Sequence, residues 1–129
     1  MNLDKIIKKA WEKFEIDKAW NDWYKWPQTY FEMLKEETLE VTEELRKNNT
    51  IYLEDELWDI LWSYINFLNW LENEWYIDSI ENVIKRCEKK YFQRVDAITE
   101  KNIDKVEAWK KIKNIQKEEL KKEHNLKYN

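Results

Sequence analysis

A chain of 129 residues with no glycine and a single proline, Pro27, has few ways to turn sharply. Positive φ is costly for any residue that carries a Cβ, so tight β-hairpins and glycine-cradled phosphate loops are disfavoured. What remains is helices joined by polar turns. The length suits one domain with one core. Nine Trp, seven Tyr and four Phe supply bulk for that core, and 39% of the residues are charged, Glu and Lys foremost. The expectation is an all-α bundle of four to five helices, one domain over 1–129. Its core lies at about 27–99 and a charged C-terminal helix covers 102–129.

The net charge of −4 is spread as mixed signs, which gives no general attraction for nucleic acid or anionic lipid. Stable nucleic-acid binding is therefore not expected. Cys87, the lone cysteine, cannot close an intrachain disulfide, and the opening MNLDKIIKKAWEKF lacks the apolar stretch of a signal peptide. A reducing cytoplasm is the expected compartment. The most apolar run, Leu57 to Leu71, is shorter than the roughly 20 residues that span a bilayer, and it contains Asp59, Asn66 and Asn69. It reads as a buried core helix, with no membrane role.

Helical spacing of Leu3, Ile6, Ile7, Ala10, Trp11 and Phe14 marks a first helix. A Trp-rich loop follows to Pro27, which suits the first turn of a second helix reaching about Lys47. Asn48, Asn49 and Thr50 offer a turn and an N-cap for a third helix that runs to about Glu74. Asp78-Ser-Ile-Glu81 has the form of a capping box opening a fourth helix, to about Thr99. The fifth is mostly charged and is expected to pack only in part, with a frayed end.

Two phrases, Glu37-Thr-Leu-Glu40 and Glu56-Leu-Trp-Asp59, set carboxylates three apart on successive helices. At about 100° per residue, Glu56, Asp59, Ser63 and Asn66 fall within a sector of about 80°. Apolar residues claim nearly every other direction of that helix, which places the polar stripe toward an interior or a cleft. An unpaired carboxylate is costly there. If the second and third helices pack antiparallel across the Asn48-Asn49-Thr50 turn, acidic stripe meets acidic stripe, and a divalent cation removes the repulsion. All-oxygen ligation suits Mg²⁺ or Mn²⁺ rather than zinc. A di-iron site would want Glu-x-x-His pairs, and His124 is the only histidine. The plainer alternative is that Glu-x-x-Glu is a solvated helix face, as it is in many Glu-rich helices.

The wording LKEETLEV followed by LEDELWDIL resembles the MazG-like, all-α nucleoside triphosphate pyrophosphohydrolases, which carry Glu-x-x-Glu on one helix and Glu-x-x-Asp on the next. Tyr76-Ile77-Asp78 is similar to the Gly-Ile-Asp segment that opens the family's following helix, without its glycine. The resemblance covers roughly Pro27 to Arg94. It implies hydrolysis of an NTP or dNTP to the monophosphate and pyrophosphate. It also implies metal ligation by Glu37, Glu40, Glu56 and Asp59, and attack by a water activated by metal or carboxylate. Among the carboxylates taken as catalytic, Glu36, Glu37 and Glu40, Glu36 serves as base or outer-shell residue. Arg86, Lys89 and Lys90 stand where the family contacts phosphates. A homodimer or homotetramer is implied as well. For the base, Trp23 and Trp26 are candidates for stacking, and Ser63 and Asn66 for hydrogen bonding. The competing reading is a non-catalytic helical scaffold with a vestigial acidic site, docking through its charged fifth helix.

Overall fold

The computed structural model describes residues 3–20 and 27–129. Five α-helices and no strand occur among the described residues: α1 Leu3–Trp20, α2 Pro27–Glu44, α3 Thr50–Asn73, α4 Ile80–Ile98 and α5 Lys105–Tyr128. The all-α expectation holds. The chain divides into two compact units, one ending at Ile80 and one beginning at Glu81.

In the first unit α3 packs against both α2 and α1. Phe14 of α1, Tyr30 of α2 and Trp70 of α3 form its buried centre, with Met33 and Phe67 against it. Phe14 meets Trp70 edge to face at 4.6 Å, and Phe31 stacks on Phe67 at 5.4 Å. The pairs 30 with 70 and 31 with 67 run in opposite directions along the two helices, so α2 and α3 are antiparallel. The Tyr30 hydroxyl donates to Asp17, which also accepts from Lys13 at 2.6 Å. A buried carboxylate on α1 is thereby satisfied and tied to α2.

The turns show how a glycine-free chain manages. α2 stops at Glu44, three residues before the expected end at Lys47, and Asn48 takes the left-handed conformation at φ 59°. Asparagine tolerates that region better than most residues with a Cβ. Asn49 stands at the N-cap of α3 but makes no side-chain cap. Its amide instead donates to the Glu44 carbonyl at 2.9 Å and to the Glu44 carboxylate at 2.6 Å, clasping the end of α2.

α3 ends in a Schellman motif: Tyr76 N–H donates to the Leu71 carbonyl and Trp75 N–H to the Glu72 carbonyl. The left-handed residue of that motif is Trp75, at φ 65° and 89% exposed. Glycine is the usual occupant. Because the indole is nearly all in water, its loss removes little packing. Trp75→Gly is expected to relieve about 1 kcal/mol of left-handed strain and to raise the thermal midpoint, checked by thermal denaturation followed by circular dichroism.

The second unit is the hairpin of α4 and α5. Asp104 caps α5 by accepting from Val106 N–H and Glu107 N–H. The buried contact is Arg94, whose Nε donates to Gln116 Oε1 at 2.9 Å while its guanidinium lies over Tyr91 and Trp109. Of α5 only Gln116 is buried, as partial packing predicts. The expected fraying is absent, since the helix continues to Tyr128.

Candidate metal centre

The antiparallel pairing of α2 with α3 brings three carboxylates together. One oxygen from each of Glu37, Glu56 and Asp59 lies within 4.8 Å of the others. All three side chains are half-buried, because the cluster sits on the first half of α3, where Leu57 and Trp58 are partly exposed. Burial of α3 is confined to its second half, from Ser63 to Trp70. The acidic groups thus lie in a cleft rather than in the interior. Apolar residues around the whole circumference of α3 do not bury its first half.

Glu40, the fourth predicted ligand, is exposed and falls outside that group of three. It nevertheless stands within hydrogen-bonding reach of both Glu37 and Glu56. Asp55, which the sequence pattern did not single out, adds its charge to Asp59 and Glu56. As one exposed acid among many, it carried no signal. Glu36 is exposed on α2, and no described interaction joins it to the cluster.

Among the described residues, these acids crowd one another with no Lys or Arg paired to them. Burial first, then a shared hydrogen bond and the charges of Glu40, Asp59 and Glu56, push Glu37 up to about 7. Burial, then the Glu40 carboxylate, raises Glu56; burial, then Asp55 and Glu40, raises Asp59. None of the ion pairs among the described residues includes Glu37, Glu40, Glu56 or Asp59. Glu37 Oε2 and Glu56 Oε2 are buried with no hydrogen-bond partner. Orphaned anionic oxygens converging from two helices fit a hard divalent cation, and an all-carboxylate donor set suits magnesium or manganese. His124 lies on α5, with its ring 4.9 Å from that of Tyr128.

The predicted phosphate-binding residues lie on α4, in the unit that begins at Glu81. Arg86 makes a two-pronged pair with Glu123 at 2.6 and 3.1 Å, and Lys89 pairs with Glu119 at 3.7 Å. Lys90 lies over the Tyr91 ring at 5.5 Å. Together with Lys113 and Lys117 they line a groove of about 550 Å³ between α4 and α5. That groove is a cavity without the carboxylates, so the converging acids, rather than cavity volume, mark the candidate centre. Of the base candidates, Ser63 and Asn66 are buried on α3, whereas Trp23 and Trp26 lie outside the described residues. Asn69, a further buried amide of α3, was not among them.

Among the described residues no helix is long and apolar enough to cross a membrane. Neither a curated protein nor a solved structure matches the chain. The family model described as the MazG nucleotide pyrophosphohydrolase domain matches residues 25–99, which span α2, α3 and α4 and more than half of the sequence. With both acidic phrases inside that match, the chain belongs to the MazG nucleotide pyrophosphohydrolase domain family.

Proposed function

We propose that the protein is a divalent-metal-dependent hydrolase that converts an NTP or dNTP to the monophosphate and pyrophosphate. The observation that carries this reading is the meeting of Glu37, Glu56 and Asp59 with two orphaned, buried carboxylate oxygens and, among the described residues, no ion-pair partner. A triphosphate is itself highly anionic, and bare carboxylates would repel it. When bound, Mg²⁺ or Mn²⁺ screens that repulsion and draws charge from the phosphate oxygens.

Glu37, Glu56 and Asp59 hold the ion, with Glu40 completing the set from the exposed side. In this reading Glu36, exposed on α2 beside Glu37, serves as base or outer-shell residue toward the attacking water. Arg86, Lys89 and Lys90 belong to the same proposal as phosphate contacts. A homodimer or homotetramer is supported by apolar side chains left in water: Leu39, Leu45, Ile51 and Tyr52 are each at least two-thirds exposed.

The test is incubation of the full chain with canonical and modified NTPs and dNTPs plus Mg²⁺, reading pyrophosphate. Release of pyrophosphate together with the nucleoside monophosphate is expected, and it is lost with chelator. Release of orthophosphate instead contradicts the pyrophosphohydrolase reading, and no turnover of any substrate contradicts it and favours the scaffold alternative.

A further inference from the structure

Asn66 and Asn69 have no accessible surface at all, at 0% each. Asn66 Nδ2 donates to the Trp62 carbonyl at 2.8 Å, and its Oδ1 has no partner. Asn69 lacks a partner at both Oδ1 and Nδ2. Buried amide atoms left unpaired are costly, and native chains keep few of them. Helix formation does not require them, since leucine at either position would extend the apolar run and propagate the helix better. The amides call for a ligand.

Their place on α3 says which end of a ligand they meet. At about 1.5 Å of rise per residue, Asn66 lies about 10 Å and Asn69 about 15 Å along the axis from Asp59. An extended nucleotide separates its phosphates from the edge of its base by a distance of that order. We propose that Asn66 and Asn69 read the nucleobase, and that they select bases with an exocyclic amino group (adenine, cytosine or guanine) over uracil and thymine. This rests on the acidic cluster marking the triphosphate end.

Hydrogen-bond arithmetic gives the selectivity. The Trp62 carbonyl can only accept, so the Asn66 amide is fixed with its NH₂ toward the backbone and its oxygen available to a donor. Asn69 offers an NH₂ group that donates and a carbonyl oxygen that accepts. Two side-chain oxygens therefore seek N–H groups and one NH₂ seeks an acceptor. An amino base presents at least two N–H donors beside a ring-nitrogen or carbonyl acceptor. Uracil and thymine present one N–H between two carbonyls, which leaves one asparagine oxygen unmet. Sites built on such bonds reject the ligand that lacks one far more strongly than apolar pockets reject a size mismatch. The amides are sealed in the unliganded chain, so a base reaches them as the surrounding helices part, and association is slower than free encounter.

The experiment is calorimetric titration of the full, metal-free chain with CMP, AMP, UMP and TMP, which needs neither turnover nor metal. CMP and AMP are expected to bind at least tenfold more tightly than UMP and TMP. In Asn69→Leu that ratio falls to near one while the thermal midpoint rises, because an apolar side chain of similar size replaces an orphaned amide. Asn66→Leu serves as the second variant should the first not fold. Equal affinities in the wild type, no binding by any monophosphate, or a ratio that survives in a folded leucine variant overturns the proposal. If base discrimination is present but no triphosphate yields pyrophosphate, the catalytic reading fails and the base site stands. If all bases are turned over alike, the base site alone fails.

Discussion

Asp59→Asn is expected to lower pyrophosphate release by about a thousandfold with helix content unchanged, a loss of about 4 kcal/mol of transition-state stabilisation at about 1.4 kcal/mol per tenfold. The substitution removes one negative charge and one anionic oxygen from a cluster whose other members, Glu37 and Glu56, supply the nearest oxygens. Stability is expected to move the other way. Asp59 is raised by burial and by the charges of Asp55 and Glu40, so the neutral amide relieves repulsion in the metal-free chain. Steady-state kinetics and thermal melts on the same preparation check both halves. Wild-type turnover in a folded Asp59→Asn variant contradicts the assignment of the centre.

The second large effect is a dependence of stability on pH that magnesium erases. Glu37 is pushed up to about 7 from an ordinary value of 4.5. Below 4.5 it is protonated in folded and unfolded chains alike, and folding is not penalised. As pH rises from 4.5 toward 7, the unfolded chain gives up the proton that the folded chain still holds, so stability falls. Above 7 both forms are ionised and the loss is constant. Discounted for the exposure of a half-buried cleft, the loss is about 1 kcal/mol, or about 4 °C in thermal midpoint for a chain of this size. Glu56 and Asp59 shift in the same direction and add to it. Saturating Mg²⁺ stabilises the ionised cluster and is expected to restore the midpoint at pH 8. Glu37→Gln flattens the pH profile without metal. Thermal melts from pH 4 to 9, with and without Mg²⁺, give the comparison. A metal-free midpoint that climbs between pH 4.5 and 7 in the wild type, but not in Glu37→Gln, has the wrong sign for this account.

Much of this was legible in the residues. The absence of glycine disfavoured tight β-hairpins, and the periodicity placed five helices with ends displaced by a few residues. The acidic stripes met as their spacing on antiparallel helices required, since i and i+3 share a face wherever α2 and α3 pack. What was not legible depends on tertiary context. The apolar run of α3 has one periodicity throughout, yet Leu57 and Trp58 are partly exposed while Ile65 and Leu68 are buried. Which turns a partner covers is set by α1 and α2, not by α3 itself. Glu40 carries the same local pattern as Glu37 but stands on the outer side of the cluster. Asn49 looked like an N-cap because asparagine favours that role, and it was drawn instead to the unpaired end of α2. Asn69 was hidden for the opposite reason. An amide in an apolar helix reads as a tolerated polar residue until its burial and missing partners are seen.

The most direct test is calorimetric titration of the metal-free chain with Mg²⁺ and Mn²⁺ at pH 8, repeated on Glu56→Gln. Saturable binding to the wild type, at least tenfold weaker in the variant, is the predicted result. Heats that do not saturate, or equal affinity in the two proteins, would mean that the carboxylates of α2 and α3 face each other for some reason other than a metal.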